Sequence, residues 1–459
     1  MADINGAVAA APFQTYEEAV RWINGLIPFG IRPGLARIEM LMDLMGNPHR
    51  RLKFIHVAGT NGKGSTCAFL TRILCQSGYD VGTFTSPYIE KFTNRFQYNG
   101  QDIPEETLLR LTNELKPYVD EVAATELGSP TMFEVSTALA VLYFAKATFP
   151  DYVVWETGLG GRLDVTNIVV PVISVITNIG HDHMDVLGDT IEEIAAEKAG
   201  IIKAGVPVVS SAEQPEAIRV LRETAQSRKS TLYLAEEQYR FETIRSQENE
   251  QVFTFVGPFR KLDHVVIRMN GEHQIKNAAA ALMAIEVLRQ YYALIVEDDD
   301  LYKALAETAW AGRLEMLGTR PRLLVDGAHN PEGAETLAKA LQSTYRYNKL
   351  HLMLGMLSTK NHIDVLRHIL PIVDTLIITE PDFRKKMKAE DLLAIVRNVA
   401  DEISRPDLNV TVEPDWKEAL RKLTEITSDE DLAVVTGTLY LIADVRSHIL
   451  YQTDSEKGW

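Results

Sequence analysis

The sequence predicts an α/β protein of two successive domains, and three observations carry the prediction. From residue 52 to about 212, apolar runs that read as strands alternate with helical stretches. A glycine-rich turn, Gly59-Thr60-Asn61-Gly62-Lys63-Gly64-Ser65, joins the first of those strands to the first helix. A second alternation resumes after the acidic cluster Glu297-Asp298-Asp299-Asp300. Continuous apolar strands linked by helices describe a mostly parallel sheet covered on both faces. The expected division is 1–296, a loop-bearing parallel-sheet domain with a small antiparallel sheet appended, and 297–459, a smaller Rossmann-like α/β domain.

Composition bounds the rest. A chain of 459 residues is too long for one comfortable core. With 46% hydrophobic and 24% charged residues it has the make-up of a soluble protein. A net charge of −16 argues against nucleic acid as a partner, since that binding relies on lysine and arginine neutralising phosphates. It leaves room for an anionic small molecule in a locally cationic pocket. Cys67 and Cys75 share one expected helix and form no metal or redox pattern, which suits a reducing compartment. No signal peptide begins around Asp3, and no apolar run is long enough for a bilayer. The expectation is a cytoplasmic protein with no membrane partner.

In chain order, residues 15–46 read as helices around a glycine-rich loop at 29–37. Strands are expected at 52–57, 81–85, 152–156, 172–178 and 206–210, with helices at 66–77, 104–122, 132–147, 190–199 and 215–228. Thr190 with Glu193 makes a capping box, and Gly200 a stop. Stretches 241–244, 252–256 and 264–268 read as short antiparallel strands, followed by a helix from Gln274 to about Ala293. The acidic cluster reads as a hinge and as the charged start of a helix. Further strands are expected at 322–325, 350–354, 375–379 and 432–436.

The loop at 59–65 has the context of a phosphate cradle: strand, glycines that free backbone N–H groups, helix N-terminus. Lys63 would reach the β/γ-phosphates, with a hydroxyl from Ser65 or Thr66 nearby. The strict Walker spacing fails, because Gly64 separates Lys63 from Ser65 and position 57 is Val57. Glu156 closes a buried strand at its carboxyl end, where ligands collect in open α/β sheets, and reads as a magnesium ligand beside such a loop. The run Asn178 to Asp185 holds His181, Asp182, His183 and Asp185 on a loop, which suits one histidine beside Glu156 better than zinc. Lys198 reads, on residue physics alone, as a lysine complementing a helix C-terminus. Asp326-Gly327-Ala328-His329-Asn330-Pro331 repeats the strand, polar turn, helix logic. There Asp326 could hold a ribose hydroxyl and His329 phosphate or a second substrate, while Asn330 caps a helix. Arg313, just past the hinge, has two readings: a residue that closes onto a γ-phosphate, or a rim salt bridge.

Taken together, the 59–65 loop, Thr85-Ser86-Pro87-Tyr88, the Glu156–Asn167 stretch, Asp182 to Gly188 with Glu197 to Gly200, and Asp326 to Pro331 resemble the bacterial folylpolyglutamate synthase/dihydrofolate synthase family of the Mur ligase superfamily. The resemblance runs from Phe29-Gly30 to Thr436-Gly437-Thr438-Leu439-Tyr440. It implies that Thr60, Asn61, Gly62, Lys63, Gly64 and Ser65 hold ATP phosphates, and that Asn277, Arg313 and Asp326 contact the nucleotide. Ser86, Glu156 and His183 match magnesium positions, His183 rather than His181. Lys198 matches a lysine carried as a carbamate that helps bind a second magnesium, which replaces the helix-end reading. His329 and Thr438 fall near the incoming L-glutamate, and the 29–37 loop on the pterin side. Ser358-Thr359-Lys360-Asn361 departs from the acidic flanks of relatives, leaving the role of Lys360 open. The implied reaction joins L-glutamate to dihydropteroate, to reduced folates or to both, through an acyl phosphate, in a monomer. A peptidoglycan-type Mur ligase needs an N-terminal substrate domain, and 58 residues precede Gly59. An ATPase switch would turn over ATP without an amine acceptor.

Overall fold

The computed structural model describes residues 12–27 and 32–456. Its first unit is built on an eight-stranded sheet. The strands are Phe54–Ala58 (β1), Val81–Phe84 (β2), Phe96–Tyr98 (β3), Gln101–Asp102 (β4), Tyr152–Glu156 (β5), Ile173–Ile176 (β6), Val208–Ser210 (β7) and Leu232–Leu234 (β8). Their order is β4-β3-β2-β5-β1-β6-β7-β8. All neighbours run parallel except the pairs β2–β3 and β3–β4. Every residue of β1, β2, β5 and β6 is buried, which is why they read as unbroken apolar runs. The sheet reaches further along the chain than the expected limit near residue 212, because β8 adds to β7.

The appended antiparallel sheet is Arg240–Gln247 (β9), Glu250–Val256 (β10) and Lys261–Ile267 (β11). Its apolar face closes on the helix Glu272–Tyr292, whose alanine-rich middle is wholly buried between the two sheets. The helix Asp298–Glu307 starts at the acidic cluster, as expected, with Glu297 as N-cap. It sends Leu301, Ala304 and Leu305 into that same core, so it packs with the first unit although the sequence reading counts it with the second.

The second unit is a six-stranded sheet: Glu315–Thr319 (β12), Arg322–Val325 (β13), Leu350–Leu354 (β14), Thr375–Ile378 (β15), Asn409–Val412 (β16) and Leu432–Thr436 (β17). The order is β12-β13-β17-β14-β15-β16, parallel except for β12.

Parallel topology decides where the motifs lie. β2, β5, β1 and β6 are neighbours, so the turns after Phe84, Glu156, Ala58 and Ile176 open on one carboxyl edge. In the second sheet β13, β17 and β14 are neighbours, so the turns carrying Asp326, Thr438 and Lys360 share its carboxyl edge. No helix among the described residues is long and apolar enough to cross a membrane.

Candidate functional site

The glycine loop is shaped by its neighbours. Gly62 has φ of +83° and caps a helix that begins at Lys63, three residues before the expected start. A side chain at Gly62 would strike the Asn277 amide at 2.3 Å, and one at Gly64 would strike the Trp310 indole at 2.7 Å. Glycine is required there for the left-handed backbone and for close approach. The turn after β6 fastens the loop: the Thr60 N–H donates to the Asn178 carbonyl (2.9 Å), the Asn61 N–H to Asn178 Oδ1 (2.6 Å), and Thr177 Oγ1 to the Asn61 carbonyl (2.6 Å). Lys63 Nζ donates to the carbonyls of Gly59 and Thr60 at 3.1 and 3.2 Å, so its charge stays over the loop. Ser65 lies buried in the first helical turn.

Glu156 ends β5 with 4% exposure, and its Oε2 accepts the Ser86 N–H at 2.9 Å. Burial pushes this carboxyl above its ordinary range, against Lys63, the Ser86 N–H, Arg313 and Arg95. Three cations thus converge on one carboxylate. Arg313 lies between Glu156 and Asp326; burial lowers its pKa and those two carboxylates oppose the shift. Its Nη1 donates to the Gly312 carbonyl (3.0 Å) and fills the space where a Gly327 side chain would be. The structure thus puts it inside the cleft, not on the rim.

Past Glu156, the chain Gly158 to Asn167 is bolted to the end of the helix Ile191–Ala199. The Arg162 N–H donates to the Glu197 carbonyl, Arg162 pairs with the Glu197 carboxylate (2.6 Å), and Asn167 Nδ2 reaches the Gly200 carbonyl (3.1 Å). The Thr190–Glu193 capping box forms as expected. Gly200 does close the helix, but in right-handed backbone; glycine is needed there because Arg162 would lie 2.3 Å from a side chain. Lys198, in the last turn of its helix, is 2% exposed. Burial first, then the nearby Lys63 charge, brings its pKa down to about 7, so much of the amine is uncharged at neutral pH.

His183, at φ of +51°, turns to Asp182, with Nε2 3.9 Å from Oδ2. Its side chain is 43% exposed, and partial desolvation beside Lys360 and His329 lowers its pKa, with Asp182 opposing. His181 instead donates its backbone N–H to Glu332 (2.8 Å). Among the described residues no group of three or more His, Cys, Asp or Glu side chains stands close enough to cage a metal ion. Magnesium needs no such cage, since it takes one or two carboxylates and fills its shell with water and substrate phosphates. The buried Glu156 oxygens beside Ser86 meet that requirement.

The second edge meets the first here. Asp326 accepts the N–H groups of Leu314 and Ala328, both at 2.9 Å, which pins the start of β12 to the turn. His329 Nδ1 lies 2.8 Å from the Gly327 carbonyl, and Asn330 caps the helix Pro331–Thr344 through the Gly333 N–H. Asn330 also exchanges amide hydrogen bonds with Asn61 at 3.1 and 3.2 Å. Asp182 gathers Lys360 (2.8 Å), Asn330 (3.1 Å) and His329 (3.5 Å) from the second unit. Burial alone would raise the Asp182 carboxyl, but the His329 hydrogen bond and the Lys360 charge hold it well below the usual range. Asn277 is buried against the loop and donates to Gln274 (3.0 Å); Thr438 caps the helix Leu439–Tyr451.

Sequence reading missed two features. Arg95 is buried, its guanidinium 5.0 Å from the Tyr88 ring and 5.8 Å from the Phe92 ring, and its Nε and Nη1 have no hydrogen-bond partner among the described residues. The aromatics interleaved after Ser86 were the available signal. The Asp182–Lys360 pair spans the two units and had no local signal. Of the 29–37 loop, residues 29–31 lie outside the described residues; Arg37 pairs with buried Glu134 at 3.0 Å.

Residues 57–285 match the Mur ligase middle domain, and residues 312–439 match the glutamate ligase domain of Mur ligases. The chain is 39% identical to the dihydrofolate synthase/folylpolyglutamate synthase of Bacillus subtilis, over 95% of this chain and 100% of that one. The crystal structure of folylpolyglutamate synthase from Thermotoga maritima superposes with a TM-score of 0.83 at 34% identity, covering 96% of this chain and 98% of that one. FolC of E. coli, solved in complex with DHPP and ADP, does so at 0.84 and 26% identity, covering 95% and 98%. Two matching domains in the same order, with a relative this similar over its full length, show that the chain belongs to the dihydrofolate synthase/folylpolyglutamate synthase family of Mur ligases.

Proposed function

We propose that the protein is an ATP-dependent amide ligase that adds L-glutamate to dihydropteroate and to reduced folates. The observation that carries the reading is the meeting of two carboxyl edges at one cleft, one with a phosphate cradle and a buried carboxylate, the other with Asp326, His329 and Lys360.

An oxygen of the acceptor carboxylate attacks the γ-phosphorus of ATP; the new P–O bond forms as the bond to ADP's bridging oxygen breaks. The glutamate amine then attacks the acyl carbon, loses a proton, and expels phosphate as the amide forms. Catalysis is positioning and charge neutralisation, since the phosphoryl oxygens carry the developing charge. The N–H groups from Gly62 to Ser65 and the Lys63 ammonium receive the β/γ-phosphates, while the Thr60 and Asn61 N–H groups hold the loop to Asn178. Asn277 and Asp326 orient the nucleoside, and Arg313, between Glu156 and Asp326, faces the transferring group. Ser86, Glu156 and His183 would hold magnesium, which when bound neutralises charge on the β- and γ-oxygens. The uncharged Lys198 amine can take up CO2 with loss of a proton, and as a carbamate would supply oxygen donors for a second ion. His329, kept by Asp182, stands ready for the incoming amine. Closing the cleft keeps water from the acyl phosphate. A monomer acting in the cytoplasm is part of this proposal.

The test is ADP release with ATP and magnesium, offering dihydropteroate or tetrahydrofolate, each with and without L-glutamate. Release that needs both acceptor and glutamate is expected. Steady ADP release unchanged by either would overturn the reading.

A further inference from the structure

The C-terminal segment crosses back onto the first unit. The helix Leu439–Tyr451 ends at Gln452, whose φ of +55° reverses the chain. Asp454 pairs with Lys417 (2.9 Å), and Ser455, 6% exposed, donates to Asp444 (2.6 Å); both tie the tail to the second unit. The next residue ties it to the first. Glu456 Oε2 accepts Tyr16 Oη–H at 2.9 Å and the Phe92 N–H at 2.8 Å. Its own N–H donates to the Glu90 carbonyl at 2.7 Å, and its carbonyl accepts from Tyr88 Oη at 3.4 Å. Burial and the Glu456 charge keep the Tyr16 hydroxyl protonated, so it remains a donor.

One turn upstream, Arg446 makes a second tie. It grips Glu315 of β12 with Nε and Nη2 at 2.8–3.0 Å and pairs through Nη1 with Glu90. Ile89, Leu439 and Ala443 fill the space between with a small apolar cluster of their own.

Tyr16 apart, the contacts that Arg446 and Glu456 make with the first unit converge on residues 88–92, part of the stretch that runs from Ser86 to Arg95. Tyr88 and Phe92, both held by Glu456, are the two rings that flank the Arg95 guanidinium. That guanidinium is buried, lies within electrostatic reach of Tyr440 and Glu156, and has two nitrogens without a partner among the described residues. We infer that Glu456 is a positioning residue: through Tyr88 and Phe92 it fixes Arg95 beside Glu156, and through Ser455 it makes that placement depend on the second unit. The inference rests on the ligase reading for its kinetic arm only.

The experiment compares the full-length protein with Glu456→Ala, Glu456→Gln and Tyr16→Phe. Hydrogen exchange of the amides at 93–95, which do not touch Glu456 directly, needs no substrate. Those amides should exchange about tenfold faster in Glu456→Ala, with the 59–65 loop unchanged. In glutamate-dependent ADP release, Glu456→Ala should lower kcat about tenfold, because Arg95 neighbours Glu156, while KM for ATP, L-glutamate and the acceptor stay within about twofold. Glu456→Gln keeps an acceptor oxygen and should recover most of the loss; Tyr16→Phe removes one bond and should fall between. Unchanged exchange at 93–95 would overturn the inference, as would an equal rise in all three KM values. Loss of glutamate dependence in the unaltered protein would overturn the ligase reading instead.

Discussion

Two turns in this molecule follow the same plan and do opposite things with it. Each leaves the carboxyl end of a buried parallel strand and enters a helix: Gly59 to Gly62 after β1, and Asp326 to Asn330 after β13. In the first, glycines strip away side chains, and among the described residues Lys63 donates only to carbonyls that phosphate oxygens can replace. In the second, nearly every polar group is already committed, Asp326 to two N–H groups, His329 to a carbonyl, Asn330 to a helix cap. The first is a cradle built for a ligand to complete. The second is a finished turn that presents fixed groups. The contrast teaches that a strand-to-helix turn is a phosphate site when its own donors are left over, not because of its place in the fold.

Substitutions can break that contrast, starting at the cradle. Glu156→Gln should lower turnover by about 10²–10³-fold with little change in melting temperature, because shape is kept and charge is lost. Near-normal turnover would refute its metal role. Lys198→Ala should cost about 10²-fold, with partial recovery on adding a short carboxylic acid. Full activity without the acid would count against the carbamate.

At the joint, Lys360→Met leaves Asp182 largely buried without its cation; the two side chains are 11% and 12% exposed. Breaking such a pair costs about 3–5 kcal/mol, read as a lower denaturant midpoint. A midpoint equal to the parent's would mean that the pair is solvated. On the finished turn, Asn330→Ala removes a cap and should cost about 1 kcal/mol of stability with a modest loss of turnover. If it matched Glu156→Gln in turnover, the division between cradle and fixed turn would fail.

Acid stability supplies a test outside the two turns. Burial lowers His56 to about 3, and burial with Arg313 lowers His273 to about 4, from an ordinary 6.5. Thr166 donates to Asp164, so it accepts from His56 Nε2–H, leaving Nδ1 bare and unpaired. The unfolded chain therefore binds these protons first. Their contribution is fully present above pH 6.5 and is lost as pH falls towards 4 and then 3. Melting temperature should decline between pH 7 and 4.5, less steeply in His56→Gln. An unchanged slope in that variant would assign the decline to other groups.

What could be read from sequence follows burial. Strands 152–156, 322–325, 350–354 and 432–436 match the structure residue for residue, because both faces are covered and apolar side chains run unbroken. Strands β3, β4, β12 and β16 carry partly exposed side chains, lost that signal and were missed. β8 also escaped, being only three residues long. In the site, Lys63, Glu156 and Asp326 announced themselves through local turns. Arg95 left only the aromatics interleaved after Ser86 as a signal, and Asp182 with Lys360, and Glu456, left none, since their partners lie far away in sequence and meet only through packing.

The central claim is that the two edges bring ATP and a carboxylate together so that an acyl phosphate forms before the amine attacks. Acceptor labelled with ¹⁸O in its reacting carboxylate tests it most directly. One labelled oxygen should appear in the inorganic phosphate for each amide made. Product formed with all the released phosphate unlabelled would contradict it.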